Sequence, residues 1–148
     1  MTIANADRQA ILQRAIRWIG TPYADAHTDS SWRDPTRIPR TFDCSSFVCR
    51  VAMDALGIAP DLLVARAGWL ADHLASVTSP EIGDVVCYER ASIGLDRAWH
   101  VMLYAGNGMV IGACDATQAV IIRAIDYKPV RGHRWRLAAQ PFRCLELS

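Results

Sequence analysis

The sequence has none of the ligand spacings that structural metal sites use. Its five cysteines and four histidines form no C-x-x-C and no H-x-x-x-H pair, so no metal and no other cofactor is expected. Five is also an odd number, and a chain of 148 residues buries a core without crosslinks. Charge of one sign is missing too. Sixteen basic and 15 acidic residues leave a formal net charge of +1, which gives no pull toward nucleic acid or anionic lipid. Nor is there a long hydrophobic run. The longest uncharged stretch, Val101 to Cys114, is broken by three glycines and Asn107 and is too short to span a bilayer. The first twenty residues mix Asp7, Arg8, Arg14 and Arg17 into the apolar positions, so they form no signal-peptide core. The expected location is therefore the cytoplasm, or outside the cell by way of a dedicated phage or secretion system.

What is present is the balance of a globular protein, 51% hydrophobic and 21% charged residues, without linker or repeat, which predicts one domain over residues 1–148. Residues 5–19 read as an amphipathic helix, with Ile11, Leu12, Ala15, Ile16 and Ile19 at helical spacing and Gly20 as its stop. Residues 24–42 form a polar, irregular loop, long enough to suggest a functional lid. A second helix begins at Asp43, a preferred N-cap residue, and turns Phe47, Val48, Val51, Ala52, Ala55 and Leu56 inward before Gly57. A shorter helix covers 65–75, burying Trp69, Leu70 and Leu74. After Pro80 the period changes, and 84–89, 99–105, 109–114, 119–125 and 133–138 read as strands, with Gly106-Asn107-Gly108 as a hairpin turn. Helices first and strands afterwards predict an α+β fold, N-terminal helices packed on an antiparallel sheet of about five to six strands.

The segment richest in chemistry is Asp43-Cys44-Ser45-Ser46-Phe47-Val48. It puts Cys44 at the first position of a helix, where unpaired N–H groups and the partial positive charge favour thiolate and can receive an oxyanion. Asp43 works against this, since a neighbouring negative charge raises a thiol's pKa. The plain alternative is a cysteine that merely starts a helix. Cys49 lies five residues on, about 140° around the helix from Cys44, and reads with Cys87, Cys114 and Cys144 as a small core residue.

Of the histidines, His27, His73 and His133 read as solvated surface residues. His100 heads the apolar strand Val101-Met102-Leu103-Tyr104-Ala105. Alternation puts His100, Met102 and Tyr104 on one face and Val101, Leu103 and Ala105 on the other. An imidazole at a strand end near a helix N-terminus is the partner a nucleophilic cysteine needs.

Gly20-Thr21-Pro22-Tyr23, the Asp43–Val48 segment, Gly83-Asp84-Val85-Val86 and His100-Val101-Met102-Leu103-Tyr104-Ala105-Gly106-Asn107-Gly108 occur in an order that resembles the NlpC/P60 family. These are papain-like cysteine peptidases and amidases acting on cell-wall peptides. The resemblance implies a papain-like fold, Cys44 as nucleophile and His100 as its general base. It also implies Tyr23 over the thiol, Asp43 and Ser45 at the amino end of a stem peptide, and Arg66 as a basic residue following the nucleophile helix. Gly83-Asp84 reads as a structural turn. The substrate implied is a peptidoglycan stem peptide or muropeptide, cut near the D-glutamyl–diamino acid link. A cognate inhibitor or phage or secretion machinery is a partner consistent with a stand-alone module, and another amidase or acyltransferase of the same Cys–His type is the alternative activity.

Two departures from the family pattern stand out. The family usually carries a polar residue, often histidine, twelve positions after the base, and here that position is Gly112. The Gly112 carbonyl, a water, Cys114 or Asp115 are the substitutes. Asp115 comes opposite His100 if Asn107-Gly108 makes a two-residue turn, and flips to the other face if the turn uses three residues, the register that the family's spacing favours. Loss of the orienting group leaves a catalytically impaired binding homologue as a rival reading. The second departure is the loop before Asp43, which holds Trp32, Arg33, Arg37 and Arg40, arginines suited to gripping substrate carboxylates.

Overall fold

In the computed structural model, which describes residues 3–24, 30–90, 99–115, 117–126 and 135–147, three helices pack on one face of a six-stranded antiparallel sheet. In chain order the elements are α1 (Asn5–Arg17), α2 (Cys44–Leu56), α3 (Ala67–His73), β1 (Leu74–Ser76), β2 (Val85–Arg90), β3 (Trp99–Gly106), β4 (Met109–Cys114), β5 (Ala119–Ala124) and β6 (Trp135–Leu147). The strands lie in the order β1-β6-β2-β3-β4-β5.

The main core lies between helices and sheet. Ile11 and Ala15 of α1, Phe47, Val48, Val51 and Ala52 of α2, and Leu70 of α3 meet Val85, Cys87, Val101, Leu103, Ile111 and Ala113. Each fully buried Val, Leu or Phe side chain here contributes about 1.5–3 kcal/mol. A smaller apolar cluster covers the opposite face of the sheet: Val86, Tyr88, Met102 and Val110, with Tyr104, Ile125 and Phe142 against it. The alternation read along β3 is therefore the one that forms.

Two buried arginines, Arg8 and Arg50, tie the elements together. Arg8 lies three residues before Ile11 on the buried side of α1, and its guanidinium donates to Asp84 Oδ1 at 2.8 Å and to the Ile82 carbonyl at 3.0 Å. Asp84 also accepts the Glu81 N–H at 2.8 Å, so the Gly83-Asp84 turn clamps the entry of β2 to α1. Gly83 has φ +89°, and a Cβ there meets Ile11 Cδ1 at 2.9 Å, which leaves room for glycine alone. Arg50, on α2, pairs with Asp54 at 3.0 Å and donates to the carbonyls of Ser31, Asp34, Pro35 and Arg37. The described part of the 24–42 loop, expected as a lid, is thereby tied to the core, with Trp32 buried.

β1 and the second half of β6 lie outside the strands expected from sequence. β1 has only three residues directly after α3, too short to show alternation. The expected last strand stopped before Pro141, but β6 runs past it. Pairing with β2 moves from Val86↔Phe142 to Tyr88↔Leu137, so Pro141 sits in a bulge that requires no N–H from it.

Candidate active site

The site begins with a helix cap. Asp43 Oδ1 accepts the Ser46 N–H at 2.7 Å and the Ser45 hydroxyl at 3.2 Å, while Ser46 Oγ accepts the Asp43 N–H at 3.0 Å. This reciprocal box fixes Cys44 as the first residue of α2. Asp43 and Ser45, expected at a substrate's amino end, thus hold each other and the helix start. The backbone amides of Val101, Ser45 and Cys44 favour the thiolate form of Cys44.

Tyr104 donates its N–H to the Asp84 carbonyl on the β2 side at 2.8 Å, so by alternation the Val101 N–H points toward β4. Pairing of β3 with β4 runs only as far as Leu103↔Ile111. The Val101 N–H, at the residue next to His100, therefore lies just beyond the end of that ladder. Cys44 is half-buried, whereas the other four cysteines are buried, and none of the five is in a disulfide.

Burial, and then the charge of Asp43, pushes the Cys44 thiol up to about 12, against the pull of the three N–H donors. Removing the charge while keeping the cap tests the balance. Asp43→Asn retains an oxygen for the Ser46 N–H and should speed Cys44 alkylation by iodoacetamide at pH 8 roughly threefold to tenfold. An unchanged rate would mean that the Asp43 charge does not reach the sulfur.

His100 is 8% exposed. Burial lowers its pKa to about 4, so the ring is neutral at physiological pH. It pairs across the sheet with Tyr88, and the two ring centroids are 5.7 Å apart at 46°. Cys44 thus packs against the helix-side core at the start of α2, and the His100 ring lies against Tyr88.

At the position twelve residues after His100, a side chain would have to displace the end of Met102. A Cβ on Gly112 meets Met102 Sδ at 2.6 Å, so the methionine fills the volume a third residue takes. Asp115 is exposed and accepts from Gln118 Nε2 at 2.7 Å. Asn107 and Gly108, both at positive φ (53° and 72°), do make a two-residue turn, with Gly106 opposite Met109. A bulge between Tyr104 and Gly106 then resets the register to Tyr104↔Val110. Counted outward, that register sets Cys114, not Asp115, across from His100, and the arrangement expected to offer Asp115 to the imidazole is not the one formed.

Tyr23 stands beside the cap: its N–H donates to the Gln118 carbonyl at 2.9 Å, and its backbone bridges Phe42, two residues before Cys44. Arg66 is exposed and immediately precedes α3. Arg33, Arg37 and Arg40 are exposed on the pinned loop, Arg33 3.7 Å from Asp61. His73 is exposed and stacks on Trp69 at 4.5 Å, whereas His27 and His133 lie outside the described residues. Sequence reasoning missed Tyr88 and Met102 at the site. The signal for Tyr88 is its place in Val85-Val86-Cys87-Tyr88, a strand that pairs with β3; Met102 shares His100's face by simple alternation.

With this geometry in view, the comparisons are direct. The sequence model of the NlpC/P60 family matches residues 20–138, and the chain belongs to that family. None of the curated proteins matches it. The fold is similar to that of NlpC2 from Trichomonas vaginalis, with a TM-score of 0.69 at 18% identity over 97% of this chain and 49% of that one. It is also similar to the NlpC/p60 domain of the peptidoglycan hydrolase SagA (TM-score 0.56, 22% identity, 88% of this chain and 97% of that one). A third is the peptidoglycan hydrolase RipB from Mycobacterium tuberculosis (TM-score 0.63, 21% identity, all of this chain and 69% of that one). The chain spans about half the length of the Trichomonas protein. Among the described residues no helix is long and apolar enough to cross a membrane.

Proposed function

We propose that this chain is a cysteine peptidase that hydrolyses an amide bond in peptidoglycan stem peptides, at the D-glutamyl–diamino acid link, using Cys44 and His100. The observation that carries the reading is Cys44 as the first residue of the capped helix α2 and the one cysteine of the five that is not buried. Family membership and the named activities of SagA and RipB supply the substrate class.

Both groups rest neutral, so the chemistry runs by general-base catalysis. His100 removes the thiol proton as sulfur attacks the carbonyl carbon, and the N–H groups around the sulfur receive the negative charge that develops on oxygen. The protonated imidazole then gives its proton to the leaving amine as the C–N bond breaks, leaving a thioester. Water, deprotonated by His100, cleaves the thioester to acid and thiol. Tyr23 and Arg66 contact the peptide on either side of the thiol, and the exposed arginines of the 30–42 segment face its carboxylates.

The pH profile follows from the imidazole. His100 must be unprotonated to take the proton, and with its pKa near 4 turnover should rise through pH 4 and stay level from about pH 5.5 to 8. An acid limb centred near 6.5, the ordinary imidazole value, would contradict this. The rival reading, a binding homologue without turnover, draws on Gly112. Mass analysis of purified muropeptides incubated with the protein separates the two: cleaved fragments support the peptidase, and intact fragments retained by the protein support the binder.

A further inference from the structure

We propose that Tyr88 is the positioning residue for His100, taking over the orienting task that no side chain performs from position 112. This rests on the reading of His100 as the base. Gly112 offers no polar group, and Met102 Sδ occupies the space where one is to be placed. On the other neighbouring strand, Tyr88 is directly opposite His100. Its ring lies against the imidazole at 5.7 Å between centroids and 46° between planes. A ring can steer another only if it is itself fixed, and Tyr88 is. It is 1% exposed, and its hydroxyl donates to the Ile125 carbonyl at 2.8 Å. Ile125 is held in turn by its N–H to the Gly108 carbonyl at 2.8 Å, at the β3–β4 hairpin. Val86, Met102 and Val110 close the sides of the cluster. The imidazole is therefore aligned by packing against a clamped aromatic face.

The test compares Tyr88→Leu and Tyr88→Phe with the unaltered protein. Two readouts are used: kcat and KM on a purified L-Ala–D-γ-Glu–diaminopimelate peptide, and the imidazole resonances of His100 by NMR. Tyr88→Leu removes the aromatic face and should lower kcat about 100-fold, the size expected of an ångström-scale misplacement, with KM within twofold. The His100 resonances should move and broaden as the ring samples more than one orientation. Tyr88→Phe keeps the face but frees it from Ile125, and should lower kcat about tenfold with a smaller spectral change, a graded rescue that loss of folding does not produce. An unchanged kcat and an unchanged His100 spectrum in folded Tyr88→Leu, or in Tyr88→Phe if only that variant folds, overturns the proposal. If the unaltered protein cuts no peptide, the peptidase reading has failed, and the NMR comparison still decides whether Tyr88 orients the ring.

Discussion

Cys44→Ser and His100→Ala should each reduce hydrolysis of a stem-peptide fragment by roughly 10⁴-fold or more, with the fold retained. The size follows from the way nucleophile and base act as one unit: loss of either removes nearly the whole chemical rate, and binding with oxyanion contacts leaves a small remainder. Serine is nearly isosteric with cysteine and keeps the cap, because the cap is made by Asp43, Ser45 and Ser46 and uses no atom of the Cys44 side chain. His100→Ala leaves the main core untouched, since the imidazole lies on the Tyr88 face. Far-UV circular dichroism and the thermal midpoint establish folding, and fragment release is followed by mass spectrometry. A thiol probe adds an independent check: Cys44 alone of the five cysteines is not buried, so labelling of the folded protein should vanish in Cys44→Ser. Hydrolysis that survives in either variant refutes the Cys–His mechanism.

The parts of this arrangement that depend on local chain chemistry are readable from sequence. Asp43 before an apolar helical period announces a cap, and the structure has it at that residue. Alternation along 100–105 sorts His100, Met102 and Tyr104 from Val101, Leu103 and Ala105, and the two apolar clusters divide in that way. What escaped depends on pairing between distant segments. The hairpin turn was legible in Asn107-Gly108, but its register was not, because the bulge at Ala105 moves the pairing by one residue without changing the turn. That one residue decides whether Asp115 or Cys114 comes across from His100. Likewise nothing in β4 alone says that Met102 lies where a side chain at position 112 would begin; the fact belongs to two strands at once.

The site that results joins a conventional half and an altered half. At the start of α2, the cap that fixes Cys44 is a unit set by residues 43–46. The imidazole, in turn, is buried against Tyr88 and its apolar neighbours, which explains its low pKa. Burial has a cost that stability measurements reveal. Because His100 binds its proton less readily when folded, the unfolded chain carries more protons between pH 6.5 and 4, and stability falls as the pH drops through that window.

Arg50→Met should destabilise the protein by about 3–5 kcal/mol, the usual result of removing one partner from a buried ion pair, and should open the segment before the nucleophile to protease. The sequence suggested a lid over 24–42 because that stretch is long, polar and rich in arginine. The structure gives it a different character, through a residue that the helical period itself marks as odd: Arg50 follows Phe47 by three on the buried side of α2, with Asp54 four residues on. Its guanidinium is 5% exposed at the side chain and satisfies four loop carbonyls as well as the carboxylate, while its cationic plane lies 5.8 Å over the Trp18 ring. Methionine fills much of the same volume but donates nothing, leaving Asp54 and the carbonyls of Ser31, Asp34, Pro35 and Arg37 to find water. Trypsin reads the outcome, since Arg33, Arg37 and Arg40 are exposed cleavage points whose backbone is now held from within. In the unaltered protein they should resist limited digestion, and in Arg50→Met they should be cut at least tenfold faster, while a Lys at position 50, able to reach Asp54 but not all four carbonyls, should fall between. Equal digestion of all three proteins would show that the loop's rigidity does not come from Arg50, and the lid would again be the better account of that segment.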